Sequence, residues 1–67
     1  MKVHFDEKAD ALYLRFDEES KVVESEEVRP GVILDFDEKN QAVGIEILGL
    51  KGRIPAASLK KINFEVA

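Results

Sequence analysis

The chain has no cysteine, so disulfides and thiolate metal sites are both excluded as sources of stability. Its only histidine is His4, which leaves too few ligands for a zinc centre of the usual composition. No apolar run approaches the ~20 residues that span a bilayer as a helix. The N-terminal stretch MKVHFDEKAD lacks the apolar core of a signal peptide. Basic residues are outnumbered, 10 Lys and Arg against 14 Asp and Glu, for a formal charge of −4. Binding to a phosphate backbone needs a basic stripe, and there is none, so neither nucleic acid nor membrane is expected as a partner. Together these absences point to a cytoplasmic chain. The serines are Ser20, Ser25 and Ser58, all in polar or turn-like surroundings, and nothing in the spacing pairs one of them with His4 for nucleophilic catalysis.

What remains is a chain of 67 residues with a hydrophobic fraction of 45% and a charged fraction of 36%, the composition of a folded and highly charged domain. A single domain of this size buries a low fraction of its surface. Without disulfides or a metal, tight packing and association must supply stability, and a homo-oligomer is expected.

The organising stretch is Gly31 to Leu48, GVILDFDEKNQAVGIEIL. Val32, Leu34 and Phe36 alternate in its first half, and Val43, Ile45 and Ile47 in its second. Alternation places each set on one face of a strand. Asp37-Glu38-Lys39-Asn40 supplies the turn of a β-hairpin, with Asn40 tolerant of a left-handed backbone. Upstream, Val3 and Phe5 mark a first strand, and Ala11 to Phe16 a second with Leu12, Leu14 and Phe16 on its core face. Lys21 to Val28 reads as a third strand, wet enough to lie at a sheet edge. Arg29-Pro30-Gly31 turns the chain into the hairpin. Pro55 opens a short helix to Lys61, in which Ala56, Leu59 and Ile62 have helical spacing. Asn63 to Val66 reads as a last short strand. The predicted fold is α+β and mainly β, a single antiparallel meander sheet of about five strands. Its one short C-terminal helix is expected to cover the face lined by Leu12, Leu14, Phe16 and the two hairpin sets.

Phe-Asp-Glu occurs at residues 5–7, 16–18 and 36–38, each time where a core-face aromatic ends a strand. One turn solution used repeatedly explains this better than three ion sites, because Asp bonds nearby backbone N–H groups. Asp17, Glu18, Glu19, Glu24, Glu26 and Glu27 form an acidic stretch opposed only by Lys21. It suits a solvated edge, a divalent-cation site or a docking surface for a basic partner, with Glu24, Glu26 and Glu27 as the docking residues. No EF-hand spacing is present. The face opposite the core set carries Tyr13, Arg15, Ile33, Asp35, Glu46 and Leu48, with Ala11 beside them. It is too apolar for bulk water and too charged for a core. These six are the candidate interface with a second copy or partner, the alternative being a half-exposed face with an Arg15–carboxylate pair. Gly44, on the same face, marks a bulge or a close backbone approach.

Asp6-x-x-Ala9-Asp10-x-Leu12-Tyr13, a Glu-rich strand, Gly31-Val32-Ile33-Leu34-Asp35 and Gly44-Ile45-Glu46-Ile47-Leu48 follow one another in this order. In that arrangement the chain resembles the small prokaryotic proteins of the domain of unknown function 2283 family over roughly residues 1 to 50. The resemblance implies a compact β-rich domain without established enzymatic activity, in a family where some members are suspected antitoxins to RNase-like toxins. It carries over no catalytic, cofactor or metal residues. The favoured function is therefore a non-enzymatic interaction module, antitoxin-like, that neutralises a basic RNase-like partner. The alternative is a small divalent-cation-binding protein or enzyme using Asp6, Asp10, Asp35 or Glu46.

Overall fold

The computed structural model describes all 67 residues, the side chains of Ala56 and Ala57 excepted. Five strands run β1 Lys2–Asp6, β2 Ala11–Arg15, β3 Glu24–Arg29, β4 Val32–Phe36 and β5 Ala42–Leu48. Two 3-10 turns follow, Leu50–Gly52 and Ala56–Lys60. All strand pairs are antiparallel, in one open sheet of order β1-β2-β5-β4-β3. The fold is thus mainly β, as the alternation predicts. The meander is divided, however: β1-β2 and β3-β4-β5 are each strung in sequence, and β2 joins β5 rather than β3. The acidic third strand lies at one edge, with β1 at the other.

The central hairpin forms over β4 and β5. Asn40 takes φ 63° in its turn, and the Asp37 carboxylate accepts the N–H groups of Lys39 and Gln41, each at 2.9 Å. The other Phe-Asp-Glu sites repeat this solution. Asp6 accepts from Lys8 and Ala9 at 3.0 and 3.1 Å, and Asp17 from the Glu19 N–H at 3.0 Å and the Ser20 hydroxyl at 2.6 Å. Those bonds, the Ser20 hydroxyl foremost, hold the Asp17 carboxyl below its ordinary value.

Register assigns the faces, because directly paired residues share one. Leu12 pairs Ile47 and Leu14 pairs Ile45, which in turn pair Val32 and Leu34 on β4. Val3 and Phe5 extend this apolar face onto β1. A bulge shifts the β4–β5 register between Asp35 and Phe36, so that Phe36 meets Ala42 and leaves Val43 as the extra residue. A second shift separates Glu27 from Arg29 on β3.

Pro55 to Lys61 is a single 3-10 turn rather than an α-helix. Pro55 offers no capping side chain, no acid occupies the first turn, and Lys61 is already extended at φ −138°. Five residues cannot offset the nucleation cost of an α-helix, and the tighter turn suffices. The expected strand at Asn63–Val66 is unpaired chain. As a result the apolar face has only a partial cover, made by Leu50, Ile54 and Leu59 beside Val3, Phe5 and Leu12, with Ile62 at its rim and 69% exposed. Only Val43 and Leu50 are buried hydrophobic residues among those described.

Candidate functional site

The second face is built around Asp35, a carboxylate only 8% exposed in the middle of an apolar strand. Two hydroxyls satisfy it. Tyr13 donates to Oδ2 at 2.8 Å and Ser25 donates to Oδ1 at 2.6 Å. Ser25 is the register partner of Asp35 on β3, so its reach is short. Tyr13 stands on β2, with β5 between. The bond can cross β5 because Gly44 lies beneath it. A Cβ there would stand 3.3 Å from the Tyr13 hydroxyl, the Asp35 carboxylate and the Leu14 carbonyl alike. Gly44 is therefore the close approach anticipated from its place in the strand, and its neighbour Val43 is the bulged residue.

Arg15 completes the chain of contacts. It donates to the Tyr13 oxygen at 3.5 Å, to the Asp17 carbonyl at 2.9 Å and to the Ser20 carbonyl. The Arg15–carboxylate pair of the alternative reading does not form, because the guanidinium is engaged in holding the start of the β2–β3 connection. The one ion pair among the described residues joins the N-terminal amine to Glu18 at 3.9 Å. Burial first, then the bond to Asp35, raises the Tyr13 phenol above its ordinary 10.0, with Arg15 pulling the other way. Tyr13 is thus a neutral donor at neutral pH and not an activated phenolate.

The six residues Tyr13, Arg15, Ile33, Asp35, Glu46 and Leu48 do share this face. Glu46 pairs Tyr13 and Ile33 in register, and Leu48 is exposed at the rim. Beside them, Lys2, His4, Asp6 and Glu18 line a shallow groove of mixed charge. The carboxylates proposed for cation binding are dispersed. Asp6 closes the β1–β2 turn, Asp35 is occupied by its hydroxyls, and Asp10 accepts the Lys51 N–H at 3.1 Å while its carbonyl accepts that of Gly49 at 2.9 Å. Among the described residues no three acidic or imidazole groups converge. His4 on β1 and Ser25 on β3 occupy opposite edges, four strand spacings or about 19 Å apart, too far for a catalytic pair.

At the β3 edge the three docking candidates divide between faces. Glu24 and Glu26 pair Phe36 and Leu34 and fringe the apolar face, whereas Glu27 pairs Ile33 on the other. All three are exposed. Two contacts escaped the sequence reading altogether, the Asp10 tie to Lys51 and Gly49, and Arg53, which donates to the Leu48 and Pro30 carbonyls at 3.2 and 2.9 Å. Gly31, at φ 76°, makes room for Arg53, since a Cβ would lie 2.9 Å from its guanidinium. Only that glycine, placed after Pro30, hinted at such an approach.

No helix among the described residues is long and apolar enough to cross a membrane. No curated protein and no solved structure matches the chain. A family model described as a protein of unknown function, DUF2283, matches residues 2–51. That span runs from the first residue of β1 into the first 3-10 turn, so it takes in the whole sheet, and the chain belongs to this family.

Proposed function

We propose that the chain is a cytoplasmic, non-enzymatic protein-interaction module that docks a basic protein along β3, the antitoxin-like role toward an RNase-like partner that its family resemblance implies. The observation that carries this reading is the outer edge of β3. The strand is bonded to β4 on one side only, and its other side offers unpaired backbone groups between exposed carboxylates, Glu24 and Glu26 on one face and Glu27 on the other. None of these three carboxylates is in an ion pair with a described residue. Such an edge repels other acidic edges and attracts a basic segment, whose lysines or arginines meet charge on both faces. Among the described residues no hydroxyl is paired with the imidazole and the carboxylates are dispersed, which favours docking over the cation-binding or enzymatic alternative.

Replacing Glu24, Glu26 and Glu27 together by Gln tests the reading, because size and hydrogen-bonding capacity persist while three charges go. With the protein captured by the full-length chain as ligand, stopped-flow association should slow at least ~10-fold at low salt. It should change little near 1 M salt, where the Debye length is about 3 Å. An unchanged rate at low salt removes β3 from the docking surface.

A further inference from the structure

We infer that a second copy of this chain covers the apolar face of the sheet, and that each copy lays its segment Ile62–Val66 on the half of the other's face that its own turns leave open. The first ground is area. The chain exposes 5341 Å², whereas a compact monomer of 7.5 kDa exposes about 4,200 Å². Its radius of gyration is 12.8 Å against about 11 Å for a compact chain of this length. The excess of roughly 1,100 Å² is larger than the ~800 Å² that each partner buries in a standard interface. An interface of standard size therefore removes most of it.

The second ground is self-complementarity. The 3-10 turns cover the β1–β2 side, against Val3, Phe5 and Leu12. Toward β4 and β3, Leu34 and Phe36 remain half-buried, and at the end of β2 Phe16 is 43% exposed, as Val3 is on β1. The same chain ends in an alternating apolar segment with no strand to pair, Ile62, Phe64 and Val66, each more than two-thirds exposed. It thus carries both an open apolar surface and an apolar strip to fill one. Ile62 already lies beside the covered half of this face, so the strip starts from the correct side of the sheet. A two-fold, isologous arrangement satisfies both copies at once. The second face needs no such cover, because its buried carboxylate has its partners within the chain. A lipid surface is disfavoured by the net charge of −4 and by Glu24 and Glu26 at the rim of the apolar face.

The test is sedimentation equilibrium of the full chain across the micromolar range, with the expected mass twice 7.5 kDa. Phe64 is 71% exposed, so Phe64→Glu disturbs little of the chain's own packing, and Phe16→Glu lies at an exposed end of the face. Each should raise the dimer dissociation constant at least ~10-fold, as loss of a buried aromatic anchor does. Leu48→Glu, on the second face, should leave it unchanged. A mass of 7.5 kDa at every concentration overturns the proposal. So does a dimer that Leu48→Glu weakens and the two phenylalanine variants do not, and so does a monomer that floats with lipid vesicles.

Discussion

Gly44→Ala isolates the second-face network with the smallest possible perturbation. The added methyl would meet three oxygens at 3.3 Å, closer than ordinary carbon–oxygen contact. The Leu14 carbonyl belongs to β2, paired to β5 throughout its length, and cannot retreat without disturbing that pairing. The other two are the partners of the 2.8 Å Tyr13–Asp35 bond, so relief comes by spreading that bond. Gly44 does not have a positive φ, so alanine meets no backbone strain and gains about 0.5–1 kcal/mol over glycine from reduced chain entropy. Against this, a hydrogen bond to a charged acceptor contributes about 1.5–3 kcal/mol. The net expectation is destabilisation by about 1–2 kcal/mol, a large share of the ~3–5 kcal/mol available to a domain of this size.

Urea unfolding at one fixed chain concentration measures it, since self-association would make stability depend on concentration. The decisive comparison is a double-mutant cycle with Tyr13→Phe. Once the hydroxyl is gone, one of the three close contacts disappears and the methyl no longer spreads a hydrogen bond. Gly44→Ala should then become neutral or stabilising, for a coupling of about 1–2 kcal/mol. An equal cost in both backgrounds, or no cost in the native one, would refute the account of Gly44 as the gap that lets Tyr13 reach Asp35.

Leu50→Ala should destabilise by about 2–5 kcal/mol in the same assay, because Leu50 is one of two buried hydrophobic residues among those described and joins the C-terminal turns to the sheet; a loss below ~1 kcal/mol would mean those turns seal nothing. Tyr13 is the only tyrosine and there is no tryptophan, so tyrosinate absorbance titrates this one group. Its midpoint should lie above 10.0 and fall in Asp35→Asn, a result contradicted by an unshifted native midpoint. Because the folded value is raised, the stability Tyr13 contributes is fully present below pH 10 and is lost as pH rises through the folded midpoint.

The strands were legible because their signal is local. Parity alone separated Leu12, Leu14, Val32 and Leu34 from Tyr13, Ile33 and Asp35, and the register agrees with that division. Turn chemistry was equally local, as Asn40 and the three Phe-Asp-Glu aspartates show. Strand order was not, because parity names a face and never a neighbour, and β2 had no local reason to choose β5 over β3. The helical spacing of Ala56, Leu59 and Ile62 was a true period attached to too short a segment. Asp35 stood out in its apolar run, yet its partners Tyr13 and Ser25 lie 22 and 10 residues away in sequence, and only pairing brings them together.

The consequence of that pairing reaches beyond one hydrogen bond. A single-layer sheet has no second layer to decide which face is inside, and a slip of one residue exchanges the faces of a strand. In β4 such a slip would carry Asp35 to the apolar face, away from both hydroxyls, where an unpartnered carboxylate is costly. The contacts from Arg15 through Tyr13 and Asp35 to Ser25 span β2, β5, β4 and β3, passing over Gly44 on the way. They therefore fix the alignment of four strands from the polar side. With register set there, the apolar face is free of polar constraints and can be left as a broad surface for another protein layer. The aromatic, arginine and acidic mixture of the second face thus holds the sheet in register, and the plain alternation of Leu, Ile and Phe lies on the other side.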